Sequence, residues 1–156
     1  MGRPDAGCGR CRTSIASRSL IFVRFVIDAN VYVQMSLTGG VLAPLAGHDL
    51  IAPPIFGSEV TASLCELTYR GEVPVEVARR IVDDLARPVV SIQQPADMYV
   101  RAWDLARSLG WAKSYDAEYL ALALILEIPL VTIDARLRRR AGHIVAMPTL
   151  AEVPKA

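Results

Sequence analysis

Short, continuous apolar runs alternate along this chain with longer stretches whose apolar residues recur every three to four positions, a pattern of strands interleaved with helices. The run from Arg24 to Asp28 is β-branched and does not alternate with polar residues, which predicts a strand buried on both faces. A helix is expected from Asn30 to Ser36 and a second strand from Leu50 to Ala52. Pro53 and Pro54 then suit the opening turn of a helix in which Phe56, Val60, Leu64 and Leu67 recur at helical spacing, with Gly71 as its stop. Further helices are predicted from Pro74 to Leu85, from Pro95 to Leu109 before Gly110, and from a Ser114 cap to Glu127. Strands are predicted at Pro88 to Ile92, Leu130 to Ile133 and Ile144 to Met147, with a short basic helix from Asp134 to Ala141 before the last. The expected fold class is α/β: a central parallel β-sheet flanked by helices on both faces.

The chain has 156 residues, enough for one domain with one core. Its formal net charge of +1 hides an asymmetry, because the first 24 residues hold five arginines against Asp5 and leave a mildly acidic body. Residues 1–22 lack apolar periodicity and are expected to form a disordered extension, with the folded domain over 23–150 and a tail over 151–156. The apolar stretch Leu20 to Val23 is too short to span a membrane. Three cysteines do not make a disulfide framework, which fits a reducing cytoplasm. Cys8 and Cys11 form a C-x-x-C without a second ligand pair at zinc-ribbon spacing. His48 and His143, the two histidines, lie in unrelated segments and offer no His-based triad.

Chemistry is suggested by acids. Asp28 and Asp134 close predicted strands, Asp116 lies in the first turn of a helix, and Glu59 stands one turn into another. In an open parallel sheet ligands bind at the carboxyl ends of the strands. Carboxylates gathered there would form the all-oxygen donor set that Mg²⁺ or Mn²⁺ prefers. Each acid also has a plainer reading: Asp28 and Asp134 as helix caps, Asp116 as a favourable charge at a helix start, Glu59 as part of a solvated stripe.

In their local contexts the four acids resemble the PIN-domain family, most closely the VapC-type toxins of prokaryotic toxin–antitoxin pairs. The matching stretches are FVIDANV around Asp28, the segment ending in Glu59 and Val60, SYDAEYLALA around Asp116, and VTIDARL around Asp134. The resemblance implies a ribonuclease that hydrolyses RNA phosphodiester bonds with Mg²⁺ or Mn²⁺ held by Asp28, Glu59, Asp116 and Asp134. Asn30, Thr132 and Ser114 would support the site. It further implies a small antitoxin protein whose C-terminal segment covers the active site, a homodimer, and a cytoplasmic location. The N-terminal extension departs from the family, whose members begin almost directly with the first strand.

Lys113, Arg136, Arg138 and Arg139, with Arg140, are candidates for holding the RNA backbone, against the reading of a solvated helix face. Tyr119 and Trp103 are expected in the core, whereas Trp111 lies in a loop near the acids. Two alternatives stay open. One is a PIN-like module that binds RNA or protein without cleaving it; the other is an Asp-based phosphotransfer domain, for which Asp28-Ala29-Asn30 lacks a second acid.

Overall fold

Between Arg24 and Asp28 the first strand has no polar position, so it can only lie inside the sheet. In the computed structural model, which describes residues 23–39, 45–87 and 89–154, it does. Strand β1 (Arg24–Ile27) pairs on one side with β2 (Asp49–Ala52) and on the other with β4 (Leu130–Val131), and β3 (Ser91–Ile92) forms the edge beyond β2. All pairs are parallel and the order is β3-β2-β1-β4. Phe25, Val26 and Ile27 are buried, as are Leu50, Ile51 and Ala52.

The helices follow from that order. Right-handed crossovers carry the chain from β1 through α1 (Ala29–Leu37) to β2, then through α2 (Phe56–Tyr69) and α3 (Val75–Asp84) to β3. The return to β4, on the far side of β1, runs in the opposite sense through α4 (Met98–Ser108) and α5 (Tyr115–Leu126), and so covers the other face. Packing agrees: α1, α2 and α3 contact one another, while α4 packs on α5 and α5 on β1. Strand order therefore reverses between β1 and β4, and a crevice opens beyond their carboxyl ends. Helix α6 (Ala135–Ala141) follows β4 at this edge.

Helix ends are set by local chemistry. After α2, Gly71 takes φ +71°, its N–H donates to Thr68 and that of Glu72 to Leu67, a closing motif that requires a left-handed residue. After α5 the same role falls on Glu127 at φ 54°.

Several expected elements differ. Residues 144–147 make no strand: one backbone bond, from Leu130 N–H to the Ala146 carbonyl at 3.0 Å, is the contact made with β4 there, because the chain turns at 142–145 before it could align. Strand β4 stops at Val131, and β3 is confined to Ser91–Ile92, with Pro88 outside the described residues. Residues 1–22, including Cys8 and Cys11, also lie outside them. In the segment expected as a tail, Val153 is buried, and the Pro154 carbonyl lies 2.8 Å from His48 Nε2. His48 Nδ1 accepts from the Val23 N–H at 3.3 Å, so this ring ties the start of β1 to the C-terminal segment. Trp103, expected in the core, is 60% exposed, with Arg107 beside its ring, because it shares an outward stripe of α4 with Tyr99 and Val100.

Candidate active site

Asp28 begins the site. It follows β1 directly, in extended backbone, and its Oδ1 accepts from the Asn30 N–H at 3.3 Å to cap α1. Its Oδ2 accepts from the Thr132 hydroxyl at 2.6 Å, across the gap between the ends of β1 and β4. Asp28 and Thr132 are 7% and 2% exposed, so this bond is shielded from water. The Thr132 oxygen in turn accepts from the Asp134 N–H at 3.0 Å. With that lone pair occupied and the hydroxyl proton committed to a carboxylate, both strand-end loops are locked in one arrangement.

Asp134 mirrors Asp28. Its Oδ1 accepts from the N–H groups of Arg136 and Leu137 at 2.7 and 3.1 Å, capping α6, and Oδ2 makes no hydrogen bond among the described residues. The capping reading is true of both aspartates, and each cap fixes one oxygen while leaving the other to be oriented. Asp116, in the first turn of α5, is solvent-exposed at the rim of a pocket of about 410 Å³ that it shares with Asp134. Glu59 projects from α2, and its Oε2 accepts from the Tyr119 hydroxyl at 2.6 Å. Tyr119 is in the core, as expected, and its hydroxyl reaches Glu59 from there.

The carboxylates act on one another. Burial raises the pKa of Asp28 above the usual range; Thr132 and Asn30 oppose the rise, and the charges of Asp116 and Asp134 add to it. Desolvation likewise raises Glu59, with Asp28, Asp116 and Glu118 adding repulsion and the Tyr119 bond opposing it. Asp116 is raised by desolvation and then by Asp134, while Arg136 pulls the other way. Glu118 escaped the sequence reading. It is 8% exposed on α5, and its signal was an acid inside an otherwise apolar run.

Among the described residues no three His, Cys, Asp or Glu side chains are drawn together closely enough to hold an ion as they stand. The donor set nevertheless fits one. It is all oxygen, and among the described residues no cation acts on Asp28 or Glu59 and carboxylate oxygens of Asp116 and Asp134 are without a hydrogen bond.

The supporting and basic candidates separate. Asn30 contributes its backbone N–H, its side chain being exposed without a hydrogen bond among the described residues. Ser114 stands at the start of α5 in helical conformation and makes no side-chain cap, contrary to the expected capping role. Lys113 and Arg136 line the pocket. Arg138 and Arg139 do not: they sit in the last turn of α6, where cations suit the helix dipole. Arg140 lines the pocket with Trp111, whose buried indole N–H has no partner among the described residues.

Comparison with known proteins accords with this arrangement. Ribonuclease VapC9 of Mycobacterium tuberculosis is 31% identical over 113 residues, which span 72% of this chain and 87% of that protein. The chain belongs to the VapC ribonuclease family. That membership sets aside the Asp-based phosphotransfer alternative. The fold is also that of PAE2754 from Pyrobaculum aerophilum, with a TM-score of 0.66, 17% identity, and coverage of 83% of this chain and 90% of that one. VapBC-1 from nontypeable Haemophilus influenzae aligns with a TM-score of 0.54 at 16% identity, over 83% of this chain and 99% of that one. No family model matches the chain.

Proposed function

We propose that this VapC-family chain is a divalent-metal-dependent ribonuclease acting as the toxin of a toxin–antitoxin module. The observation that carries the reading is the Thr132–Asp28 bond at the point where strand order reverses, with Asp116, Asp134 and Glu59 in the same electrostatic field. A structural cap needs no partner on another strand, whereas a metal ligand needs a fixed orientation.

In this reading Asp28, Glu59, Asp116 and Asp134 hold Mg²⁺ or Mn²⁺. A bound ion supplies a water of lowered pKa and neutralises charge at the phosphate. Thr132 fixes the Asp28 carboxylate and Tyr119 fixes that of Glu59. Lys113 and Arg136, at the pocket wall, draw the RNA backbone toward the acids. His48 is engaged with Val23 and Pro154, and Cys65 is exposed on α2, so neither enters the chemistry. The nucleophile is then water.

The purified protein is expected to cleave RNA with Mn²⁺, to stop in EDTA and to resume when Mn²⁺ is restored. Cleavage continuing in EDTA overturns the metal dependence, and no cleavage of any RNA with metal present overturns the ribonuclease. The antitoxin partner is supported by the same acids, since a basic side chain entering this crevice would be held electrostatically. Homodimerisation is supported by the outward stripe of Tyr99, Val100 and Trp103 on α4. Among the described residues no helix is long and apolar enough to cross a membrane. Action in the cytoplasm, where RNA is available, goes with this reading.

A further inference from the structure

The pocket beside Asp116 and Asp134 lies between two walls, one running from Gly110 to Asp116 at the start of α5 and the other from Asp134 to Arg140 along α6. The α6 wall is anchored, because the Asp134 N–H donates to Thr132, whose hydroxyl holds Asp28. The α5 wall lacks such an anchor: Ser114 makes no side-chain cap, and the Asp116 carboxylate accepts no hydrogen bond among the described residues. The two aspartates also repel, since Asp134 adds to the rise that burial causes in the Asp116 pKa. Among the described residues one hydrogen bond joins the walls, through Leu109 next to Gly110. Gly110, at φ +65°, closes α4 with its own N–H on Arg107 and that of Trp111 on Ala106, and no backbone N–H of the described residues donates to the Leu109 carbonyl. Arg140 Nη2 donates to that carbonyl at 2.7 Å. A cation suits the negative end of α4, and the bond is charge-assisted.

We propose that Arg140 is a positioning residue for the metal site: through the Leu109 carbonyl it holds the wall carrying Asp116 against the wall carrying Asp134. The proposal rests on the metal-dependent reading and adds to it a residue outside the carboxylate set. An ion shared by the two walls binds weakly if they must first be drawn together against the repulsion of their acids, because that cost is subtracted from the binding free energy. The Arg140 bond meets part of it before the ion arrives. Removing Arg140 has distinct consequences under three roles, which makes the assignment testable by sign. As a tether, its loss weakens the binding of a divalent cation. As a positive charge beside the acids and nothing more, its loss strengthens that binding. As a contact to the RNA backbone, its loss leaves metal binding unchanged.

Arg140→Met keeps an unbranched, helix-favouring stem and removes both the donor and the charge. Mn²⁺ binding to the metal-free full-length protein, followed by electron paramagnetic resonance of the unbound ion, should weaken by about tenfold in this variant, as it does when groups that orient metal ligands are lost. Arg140→Lys restores a charged donor and should recover most of the loss. Binding by Arg140→Met as tight as the parent's or tighter overturns the tether, as does a lysine that recovers nothing. A methionine variant without cooperative melting assigns the bond to the fold at large and overturns the positioning role equally. A parent that binds no Mn²⁺ overturns the metal-dependent reading itself, so the two failures are distinguishable.

Discussion

Thr132→Val keeps the shape and the methyl of threonine and removes only the hydroxyl, which makes it the sharpest probe of how the two strand ends are coupled. The lost bond, 2.6 Å long and buried, ends on an ionised carboxylate, a class worth about 1.5–3 kcal/mol. The Asp134 N–H loses its acceptor too, but it is only part-buried, and water can replace the hydroxyl at small cost. A loss of about 2–3 kcal/mol is therefore expected at pH 7, which is roughly 5–10 °C in melting temperature for a domain of this size. Thr132→Ser retains the hydroxyl and deletes one buried methyl, which costs about 1 kcal/mol. Urea unfolding of both variants in EDTA decides the matter: valine should be the less stable by at least about 1 kcal/mol. The bond favours the ionised form of Asp28 and lowers its pKa, so the valine deficit should shrink on acidification as that group takes up a proton. If valine matches or exceeds serine in stability, the hydroxyl does not hold Asp28, and the positioning role assigned to Thr132 is wrong.

The pH dependence of the metal-free protein has a definite sign. Asp28, Glu59, Asp116 and Glu118 all have pKa values raised in the folded state, chiefly by burial, so the fold binds their protons more tightly than the unfolded chain does. Their stabilising contribution is complete below the ordinary carboxylate range and is lost as pH rises through the raised values. Thermal scans in EDTA should therefore give a higher melting temperature near pH 5 than near pH 7.5, and the slope should weaken or reverse with Mn²⁺, which requires ionised ligands. A melting temperature that climbs with pH in EDTA would contradict the raised pKa values of these acids. Separately, Glu127 ends α5 at φ 54°, where a non-glycine residue is strained by about 1 kcal/mol. Glu127→Gly should raise the melting temperature by about 1–3 °C and leave cleavage unchanged; no rise would mean that the glutamate side chain offsets the strain.

The sheet was legible where burial is complete on both faces, as in Phe25 to Ile27 and Leu50 to Ala52, because such strands leave a continuous apolar run. Ile144 to Met147 has the same composition but is set by the turn before it, and among the described residues one backbone bond joins it to β4. Asp28 and Asp134 were legible as strand-end acids. How their oxygens are used was not, since a pattern of residue types cannot show that one oxygen of Asp28 caps a helix while the other accepts from Thr132, just beyond β4. The Tyr119–Glu59 bond joins residues 60 positions apart and depends on how α5 lies against α2. Trp103 misled because Met98, Ala102 and Ala106 provide the buried stripe of α4, leaving the larger aromatic outside. Arg138 and Arg139 fell into one run with Arg136 and Arg140 in sequence, whereas helical rotation turns only the latter two toward the pocket.

The central claim is that the charge of Asp28, rather than its helix-capping role, is what the site uses. Asp28→Asn separates these, because asparagine is an equally good cap: its Oδ1 can accept from the Asn30 N–H while its Nδ2 donates to the Thr132 oxygen, and it carries no charge. Single-turnover cleavage of a 5′-labelled RNA in Mn²⁺ should fall by at least about a hundredfold in this variant, with its circular dichroism and cooperative melting retained. A folded Asp28→Asn protein that cleaves at the parent rate would contradict the account.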